Sequence, residues 1–483
     1  MKLKALLKNL KPTELRAAED IEISGICYDS RRVVAGSLFV AIRGLQSDGH
    51  DHISSAVEKG AVCVICEKAP QDSTIPYVLV EDSRAALALV SSAFYGDAHK
   101  KLKIIGVTGT NGKTTTACLI KQMLESLTDK PIGLIGTLGD FIGDNEVSHS
   151  RATSTTPDPD ELHELFAQMV RAGCEYAVME VSSHALVLEK LTGVEFEVGI
   201  FTNLTQDHLD FHGSLEEYAK AKARLGGQSR TMAINIDDSY ALTMIENATA
   251  QVMTFSTKNN SADLVAREIR MQPSKVEFCA LMTGELVRAE IAIPGNFSVY
   301  NALAAMLALR ILGFSLDECA AALQKCSGVP GRAESVPTGR DFTVLIDYAH
   351  TPDALENIIS AVRAGTTGRV VTLFGCGGDR DRTKRPIMGE TAAKLSDFLI
   401  VTSDNPRTEE PEAIIADILE GVQDSKTPYE VIPDRRAAIA YAINNAKPND
   451  TIILAGKGHE TYQEINGVKQ DLDERVVVAE VLA

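Results

Sequence analysis

The chain lacks a long apolar run and an excess of positive charge. Its 483 residues contain no uninterrupted apolar stretch of about 18 residues, and Lys8 breaks the short apolar stretch at the start. We therefore expect neither a membrane span nor a signal peptide. The formal net charge of -18 disfavours nucleic acid and anionic membranes as partners, because an acidic surface does not neutralise phosphates. Small anionic ligands are still compatible with this charge.

Cysteines are too few and too scattered for a disulfide framework. There are nine of them, an odd number, spread widely along the chain. Cys63 and Cys66 have the spacing of metal ligands, but no second pair accompanies them, so we interpret them as part of a buried strand. With 45% hydrophobic and 24% charged residues, the composition is typical of a globular protein, which we expect in the cytoplasm.

The length predicts three domains at about 150 residues each. Breaks at 96–101 and 328–332 separate regions in which strands alternate with helices, and they place the domains at 1–98, 99–330 and 331–483. We predict an α/β fold throughout, with an open, mostly parallel sheet in the second domain and another in the third. The predicted strands are 38–42 and 62–65, then 104–107, 176–180 and 198–203, then 343–346, 370–374, 398–402 and 451–455.

A glycine-rich turn at residues 106–115 is the strongest functional signal. It reads Gly-Val-Thr-Gly-Thr-Asn-Gly-Lys-Thr-Thr and follows an apolar strand, so its backbone N–H groups can surround phosphate oxygens. Lys113 supplies a positive charge, and the hydroxyl of Thr114 or Thr115 can bind Mg²⁺. The loop is a variant, because the general P-loop pattern has a glycine where this chain has Val107. An ordinary turn between a strand and a helix is the alternative.

Polar residues follow two further predicted strands. Glu180 stands at the end of one, where open α/β sheets bind ligands, and its carboxylate is a natural ligand for Mg²⁺. After the next strand comes a segment with two acids and two histidines; single histidines are more often surface or core groups, but the upstream P-loop favours a functional His208. Lys222 lies in a basic helical segment, whose default interpretation is a solvated face.

Four charged loops in the last third also follow predicted strands. They read Asp347-Tyr-Ala-His-Thr-Pro-Asp353, Gly375-Cys-Gly-Gly-Asp-Arg-Asp-Arg382, Asp404-Asn-Pro-Arg407 and Gly456-Lys-Gly-His-Glu460. Because ligand sites are often built from loops on a rigid sheet, we predict that the four form one binding rim. Each loop alone is equally compatible with a simple turn.

Taken in order, the motifs resemble those of the ATP-dependent Mur ligases of peptidoglycan synthesis, and the resemblance covers essentially the whole chain. It implies a small amino-terminal α/β domain that binds a uridine diphosphate sugar, a central P-loop ATPase-type domain and a carboxyl-terminal Rossmann-like domain that binds an amino acid, in a monomer. The motifs are Gly109-Thr-Asn-Gly-Lys-Thr-Thr115, Glu180-Val-Ser-Ser-His184, residues 203–210, Pro294-Gly-Asn-Phe-Ser-Val-Tyr-Asn301, Gly331-Arg332 and Asp347-Tyr-Ala-His350.

The resemblance also implies a reaction and its cofactors, ATP and Mg²⁺. ATP phosphorylates a D-glutamyl side-chain carboxylate, an amine attacks the resulting acyl phosphate, and phosphate leaves as the amide forms. Such a site must above all neutralise crowded negative charge. The implied ATP-binding residues are Gly109, Thr110, Asn111, Gly112, Lys113, Thr114, Thr115, Asn301, Arg332 and Asp347.

By the same resemblance, one Mg²⁺ is bound by Thr114 and Glu180, and a second by His208 and a carbamate on Lys222. An unmodified ammonium would repel the ion, whereas addition of CO₂ converts the lysine into an anion. Lys113, Lys222, His208 and Glu180 are accordingly the expected catalytic residues. An unmodified Lys222 on a solvated helix face is the alternative.

Within the family, Asp404-Asn-Pro-Arg407 resembles the signature of members that add meso-2,6-diaminopimelate to UDP-N-acetylmuramoyl-L-alanyl-D-glutamate. Diaminopimelate has a second amino-acid end that lysine lacks, and a guanidinium binds a carboxylate bidentately. A site built on such polar pairs can reject an analogue by about 10⁴-fold. The expected diaminopimelate-binding residues are Arg380, Asp404, Asn405, Pro406, Arg407, Gly456 and Glu460.

The muramoyl substrate is expected to contact the first two domains. Lys190 stands where some relatives have an arginine, so it keeps the charge but loses the planar fork. The position that is glutamine in some relatives is Leu188, for which no contact is expected. The expected contacts are Tyr28, Ser30, Leu45, Gln46, Ser47, Thr155, Thr156, Ser182 and Lys190.

Three alternatives are compatible with parts of the pattern. A sibling ligase that adds lysine is disfavoured by Asp404 and Arg407, and a folylpolyglutamate synthetase is disfavoured by the separate domain before Gly96. A nucleotide-dependent switch or motor would use the P-loop but leaves the charged rim of the third domain without a role.

Overall fold

The structure is a computed structural model that describes residues 1–44, 47–147, 155–249, 251–272 and 274–483. Contacts divide the chain into two compact units, Met1–Phe255 with Leu307–Gly313 and Ser256–Met306 with Phe314–Ala483. The predicted boundary near residue 98 falls inside the first unit, and the three domain ranges stay a prediction. Within the described ranges, no helix is both long enough and apolar enough to cross a membrane.

A five-stranded sheet with three helices forms the amino-terminal part of the first unit. Its elements are α1 (Leu3–Leu6), β1 (Glu14–Arg16), β2 (Gly25–Cys27), β3 (Ser37–Val40), α2 (Ile53–Glu58), β4 (Ala61–Cys66), β5 (Tyr77–Leu79) and α3 (Ser83–Phe94). The strand order is β1-β5-β4-β3-β2, parallel except between β1 and β5. Cys63 and Cys66 are buried in β4, which confirms the interpretation of this pair as strand residues.

The segment expected to be a linker is a packed 3-10 turn, Ala98–Lys101. Asp97 precedes it in a left-handed backbone conformation and accepts a hydrogen bond from Lys8 at 2.5 Å. His99 is buried, and its ring centroid lies 5.2 Å from that of His163. The polar sequence of this segment predicted a loop. In the structure the segment packs against the helix that contains His163, which lies more than sixty residues further along the chain.

The rest of the first unit is a mostly parallel sheet with helices. Its elements are β6 (Lys103–Thr108), α4 (Lys113–Thr128), β7 (Gly133–Gly136), β8 (Gly139–Ile142), β9 (Asn145–Glu146), α5 (Pro159–Arg171), β10 (Tyr176–Glu180), α6 (Ser183–Val187), β11 (Phe196–Phe201), α7 (Leu209–His212), α8 (Leu215–Ala223), β12 (Ser229–Asn235), α9 (Ala241–Asn247) and β13 (Gln251–Ser256). The strand order is β13-β12-β11-β6-β10-β7-β8-β9, with only β8 and β9 antiparallel to their neighbours.

This order explains how the site residues come together. β6 lies between β10 and β11, so the carboxyl ends of three parallel strands meet at one edge of the sheet. The P-loop follows β6, Glu180 ends β10, and Asn203 follows β11. Ligands of open α/β sheets bind at such edges.

The second unit begins with an antiparallel meander. The elements that follow β13 are β14 (Leu264–Met271), β15 (Val276–Met282), β16 (Glu285–Ile291), α10 (Asn296–Ile311) and α11 (Leu316–Gln324). The end of α10, from Leu307, is counted with the first unit. A two-residue turn at Thr283 and Gly284 joins β15 to β16, and Gly284 has the positive φ of 79° that such tight hairpins require. Ser315 and Glu318 form a capping box that starts α11.

A second open sheet completes this unit. Its elements are β17 (Glu334–Val336), β18 (Thr343–Asp347), α12 (Pro352–Arg363), β19 (Val370–Phe374), α13 (Lys384–Leu395), β20 (Phe398–Val401), α14 (Pro411–Leu419), β21 (Tyr429–Val431), α15 (Arg435–Asn444), β22 (Thr451–Ala455), β23 (Tyr462–Ile465), β24 (Val468–Asp471) and α16 (Glu474–Leu482). The order is β17-β18-β22-β19-β20-β21, parallel from β18 to β21. The four charged loops therefore leave neighbouring strands, and the predicted α/β class is confirmed.

Candidate active site

The P-loop is fixed to the end of β11. Thr110 N–H donates to the carbonyl of Asn203 at 2.9 Å, and Asn111 N–H donates to its side-chain Oδ1 at 2.9 Å. Gly109 has a φ of 150°, and a Cβ there would lie 1.9 Å from Thr202 Oγ1, so no larger residue fits. Val107, where the general pattern has its first glycine, is paired on both sides within β6, so the loop itself starts at Gly109.

Two lysines converge on one carbonyl of this loop. Nζ of Lys113 lies 2.9 Å from the carbonyl oxygen of Gly109 and 2.8 Å from that of Thr110. Nζ of Lys222 donates to the same Gly109 oxygen at 2.8 Å. Lys222 is only 1% exposed, so the default interpretation of a solvated helix face is wrong. Burial, and then the nearby charge of Lys113, hold the pKa of Lys222 well below its ordinary value.

Glu180 and Thr114 form a buried oxygen pair beside the P-loop. The Thr114 hydroxyl donates to Glu180 Oε2 at 3.0 Å, and Thr115 is buried next to it in α4. Thr137 donates its backbone N–H to Glu180 Oε1 at 2.8 Å and its hydroxyl to Oε2 at 3.2 Å. Gly136 leaves room for the carboxylate, because a Cβ there would lie 2.4 Å from Oε1. The structure thus brings together the predicted pair for the first Mg²⁺.

The two predicted ligands of the second Mg²⁺, His208 and Lys222, are each packed against Tyr218. The ring centroids of His208 and Tyr218 are 6.3 Å apart, and Nζ of Lys222 is 4.4 Å from the tyrosine centroid. The His208 side chain is half exposed and its Nε2 is 3.3 Å from Asp207 Oδ2. The ring of His184 packs edge-on against it at 4.9 Å.

Among the described residues, no group of three or more His, Cys, Asp or Glu side chains forms a metal cluster. A hydroxyl and a carboxylate nevertheless suit Mg²⁺, which prefers hard oxygen ligands. Mg²⁺ is commonly bound by one or two carboxylates together with substrate phosphates. The Thr114 and Glu180 pair therefore fits the ion expected with ATP.

Four of the residues expected to contact the muramoyl substrate belong to one chain of contacts, in which Asp158 links Tyr28 to Lys190. Tyr28 donates its hydroxyl hydrogen to Asp158 Oδ2 at 2.7 Å, and Lys190 pairs with Oδ1 at 2.8 Å. The Thr156 hydroxyl accepts from Ser182 N–H at 3.1 Å and donates to the carbonyl of Glu180 at 2.9 Å. Lys190 Nζ also donates to the carbonyl of Thr156 at 3.4 Å. The chain of contacts runs from the first sheet to the edge that carries Glu180.

The other expected muramoyl contacts are less connected. Thr155 accepts from Thr137 at 3.4 Å, Ser30 accepts through its carbonyl from Lys59 at 3.0 Å, and Ser47 contacts His52 Nε2 at 3.0 Å. Leu45 and Gln46 lie outside the described residues.

The remaining predicted ATP residues belong to the second unit. The carboxylate of Asp347 accepts from the N–H groups of Ala333 at 2.7 Å and Ala349 at 2.8 Å, which fixes the loop around Arg332. Burial raises the pKa of Asp347 despite the opposing charge of Arg332. The guanidinium of Arg332 lies 5.0 Å from the centroid of Tyr348. Asn301 is a buried residue of α10.

The expected diaminopimelate residues cluster at the ends of β20 and β22. Asn405 N–H donates to Asp404 Oδ1 at 2.6 Å, and its side-chain Nδ2 donates to Glu460 Oε2 at 2.8 Å. Gly456 has a φ of 115°, and a Cβ there would lie 2.4 Å from Asp404 Oδ2. Lys457, which was not expected to take part, donates to Asn405 Oδ1 at 3.1 Å and to Glu460 Oε2 at 2.9 Å.

Arg407 is held at the edge of this cluster. Its Nη1 donates to the carbonyl of Gly378 at 2.7 Å and its Nε lies 3.4 Å from Glu464 Oε2. Gly378 packs on the buried Pro406, because a Cβ at position 378 would lie 1.9 Å from the Pro406 carbonyl oxygen. Arg380 is exposed on the loop after β19. The loops after β19 and β20 are therefore in contact, as the predicted rim requires.

Sequence reasoning missed Asp158, Tyr218 and Lys457. Asp158 precedes the proline that starts α5, a position that also suits an ordinary helix start. Tyr218 and Lys457 owe their importance to burial, which a single sequence does not reveal. The one available signal was the position of Lys457 inside a loop that directly follows an apolar strand.

Comparison with known proteins places this geometry in one family. Three family models match in succession: Mur ligase family, catalytic domain, at residues 22–109; Mur ligase middle domain at 107–309; and Mur ligase, glutamate ligase domain, at 331–458.

Curated relatives match from end to end. UDP-N-acetylmuramoyl-L-alanyl-D-glutamate--2,6-diaminopimelate ligase of Caldanaerobacter subterraneus subsp. tengcongensis is 47% identical, over 100% of this chain and 99% of its own. A ligase of the same description from Clostridium acetobutylicum is 46% identical over the same shares.

Solved structures agree with the sequence relatives. A structure described as UDP-N-acetylmuramoyl-L-alanyl-D-glutamate--2,6-diaminopimelate ligase covers 100% of this chain and 98% of its own, with 34% identity and a TM-score of 0.76. A folylpolyglutamate synthase of Mycobacterium tuberculosis covers 77% of this chain and 92% of its own, with 17% identity and a TM-score of 0.62, a likeness of fold alone. The full-length relatives and the successive domain matches establish that the chain belongs to the Mur ligase family.

Proposed function

We propose that this protein is an ATP-dependent ligase that joins meso-2,6-diaminopimelate to the D-glutamyl side chain of UDP-N-acetylmuramoyl-L-alanyl-D-glutamate. The observation that carries the proposal is a chain-long identity of 43% or more to relatives described as this ligase, in a chain whose Asp404 to Arg407 loop lies at a buried, charged rim. The reaction would proceed through an acyl phosphate, which the amine attacks with loss of phosphate.

The P-loop is the part of the chain suited to the ATP phosphates. Backbone N–H groups of residues 109–112 precede a sixteen-residue helix that starts at Lys113, so the helix dipole and the lysine charge both favour an anion there. Thr114 and Glu180 would hold Mg²⁺, which when bound neutralises phosphate charge during transfer. Thr137 fixes the carboxylate in place through two hydrogen bonds.

Lys222 is suited to become a carbamate. Its described contacts are the Gly109 carbonyl and the Tyr218 ring, neither of which carries a negative charge. Burial and the nearby charge of Lys113 outweigh the attraction of Asp207 and lower the pKa of Lys222. They favour the neutral amine, which is the form that combines with CO₂ to give a carbamate and a proton. The product would be an anionic oxygen ligand near the P-loop. Incorporation of ¹³CO₂, followed by NMR and lost in Lys222→Arg, would support this modification.

The rim of the second unit is suited to the incoming amino acid. Asp404 and Glu460 offer carboxylates for an ammonium, and Arg407 offers a guanidinium for a carboxylate. Arg332 and Asp347 lie next to it, because the loop at Gly331 packs within van der Waals contact of the Gly458 and His459 backbone. We propose that these two residues contact ATP.

We also propose that the enzyme acts as a monomer in the cytoplasm. All nine cysteines are buried, and none forms a disulfide among the residues that the structure describes, which agrees with a reducing compartment. Its substrates would be small molecules, and neither nucleic acid nor a membrane would be needed for the reaction. Sedimentation of the purified protein at catalytic concentrations tests the first part.

Amino-acid-dependent release of phosphate tests the proposed reaction. Purified protein is supplied with ATP, Mg²⁺ and UDP-muramoyl dipeptide, and a panel of diamino acids is added one at a time. We expect phosphate release only when the dipeptide and an amino acid are both present, with meso-diaminopimelate preferred over lysine by about 10⁴-fold in kcat/KM. Equal use of lysine would contradict the assignment, and release without any amino acid would favour a nucleotide switch.

A further inference from the structure

We propose that Lys457 determines the preference of the amino-acid site for a side chain that carries both an ammonium and a carboxylate over one that carries an ammonium alone. The inference rests on the proposed function and deepens it. Lys457 is 0% exposed, and its Nζ lies between Asn405 Oδ1 at 3.1 Å and Glu460 Oε2 at 2.9 Å.

Lys457 first fixes the orientation of Asn405. The amide oxygen of Asn405 accepts from Lys457 and from the backbone N–H of Glu464 at 2.9 Å, so both of its acceptor positions are filled. The amide nitrogen is thereby turned towards Glu460, to which it donates at 2.8 Å. Two partners in the loop after β22 and one in β23 thus leave only one orientation for this side chain.

Lys457 also sets the charge of the site. Asp404 and Glu460 together carry two negative charges, whereas one ammonium is expected between them. Lys457 offsets one of these charges, which leaves one for the ammonium. Arg407, whose Nε also lies 3.4 Å from Glu464 Oε2, meets the carboxylate. The pocket then matches the far end of diaminopimelate, whose net charge is zero.

Removing the charge of Lys457 would change this match. The surplus negative charge would attract the single ammonium of lysine and repel the carboxylate of diaminopimelate. Because Lys457 is buried, solvent and salt screen its field only weakly. The expected consequence is a loss of selectivity that is larger than any general loss of activity.

Lys457→Met tests the inference against Lys469→Met. Both lysines contact the Tyr462 ring, with Nζ 5.6 and 4.0 Å from its centroid, but Lys469 is exposed in a hairpin. kcat/KM is measured for meso-diaminopimelate and for L-lysine at saturating ATP and UDP-muramoyl dipeptide. We expect Lys457→Met to lower the ratio of the two values by about tenfold or more, and Lys469→Met to leave it within about twofold.

The KM values of ATP and UDP-muramoyl dipeptide show whether the effect is confined to the amino-acid site. We expect Lys457→Met to leave both within about twofold. A change in all three KM values with an unchanged selectivity ratio would overturn the proposal in favour of a purely structural role.

Lys457→Gln separates the effect of the charge from the effect of the hydrogen bond to Asn405. It also replaces Lys457→Met as the test variant if Lys457→Met does not fold. The glutamine variant keeps a donor for Asn405 but carries no charge, so we expect the same loss of selectivity. A glutamine variant with the parent's ratio would refute the charge argument. Failure of the proposed function is distinguishable, because the parent enzyme itself would then show no diaminopimelate-dependent phosphate release.

Discussion

At the scale of single residues, burial decides chemistry that residue type alone leaves open. Lys222 and Lys220 belong to the same basic helical segment, yet the first is enclosed against Gly109 and the second pairs with Glu217 at the surface. The side of a helix that faces a neighbour depends on tertiary packing. The resemblance to the family therefore predicted Lys222 as a candidate, whereas its residue type and spacing indicated a solvated face, and its environment had to come from the structure.

Lys222→Ala is expected to abolish ligation, because the variant loses the buried amine that we propose is converted to an anionic carbamate. A short carboxylic acid such as propionate should restore part of the activity by occupying the vacated space. Phosphate release measured with and without the acid checks this. Lys220→Ala on the same helix is the control and should retain parent activity; an active Lys222→Ala enzyme would rule out the carbamate.

Arg407→Lys is expected to weaken use of diaminopimelate by about 2–5 kcal/mol of transition-state stabilisation, because an ammonium does not reproduce the bidentate contact with a carboxylate. kcat/KM at subsaturating diaminopimelate measures the loss. Arg382→Lys is the matched control, since Arg382 lies on the neighbouring loop and pairs at the surface with Asp417. Parent-like kinetics for Arg407→Lys would remove this residue from the site.

At the scale of elements, strands of both open sheets were predictable from the sequence. The antiparallel strands and one packed turn were not. Apolar runs gave β10, β19 and β22 with their observed ends, because buried parallel strands require continuous apolar sequence. The meander of β14 to β16 and the packed turn after Asp97 were not foreseen. Each depends on pairing or burial against distant residues rather than on its own pattern.

The helices α15 and α16 are joined by a fully buried ion pair. Arg435 Nε donates to Glu474 Oε1 at 2.8 Å with both side chains 0% exposed, and Arg435 also donates to the carbonyls of Ser403 and Ala455, just before two rim loops. Arg435→Met should lower the free energy of unfolding by about 3–5 kcal/mol, because it leaves a buried carboxylate unpaired.

The double variant Arg435→Met with Glu474→Met provides the control. It removes both charges, so we expect most of the lost stability to return. Chemical denaturation of the parent and the three variants measures the coupling. Additive effects of the two single substitutions would show that the pair does not act as a unit.

At the scale of the whole molecule, two buried histidines make stability depend on pH. His163 is buried between His99 and Phe166, and neither of its ring nitrogens has a hydrogen-bond partner among the described residues. Burial lowers the pKa of His163 to about 3, and it also lowers the pKa of His99. Below pH 6.5 the unfolded chain therefore takes up protons that the folded chain does not.

As the pH is lowered from 6.5 towards the folded pKa of His163, we expect this group to lower the free energy of unfolding by about 1.4 kcal/mol per pH unit. Above pH 6.5 we expect no contribution of His163 to the pH dependence. His163→Leu should show a correspondingly shallower fall. Denaturant unfolding at pH 7.5, 6.0 and 5.0 compares the two proteins. Parallel curves over this range would show that His163 is not neutral in the folded state.

The strand order β18-β22-β19-β20 has a consequence for how amino-acid choice can evolve. Four loops that are distant along the chain lie side by side above an interior of buried strands. If the four loops form the proposed amino-acid site, we expect exchanges and small insertions in any one of them to change the same pocket without disturbing the hydrophobic interior. We therefore expect that the preference for a diamino acid can be altered by exchanging loops while the sheet that carries them is kept.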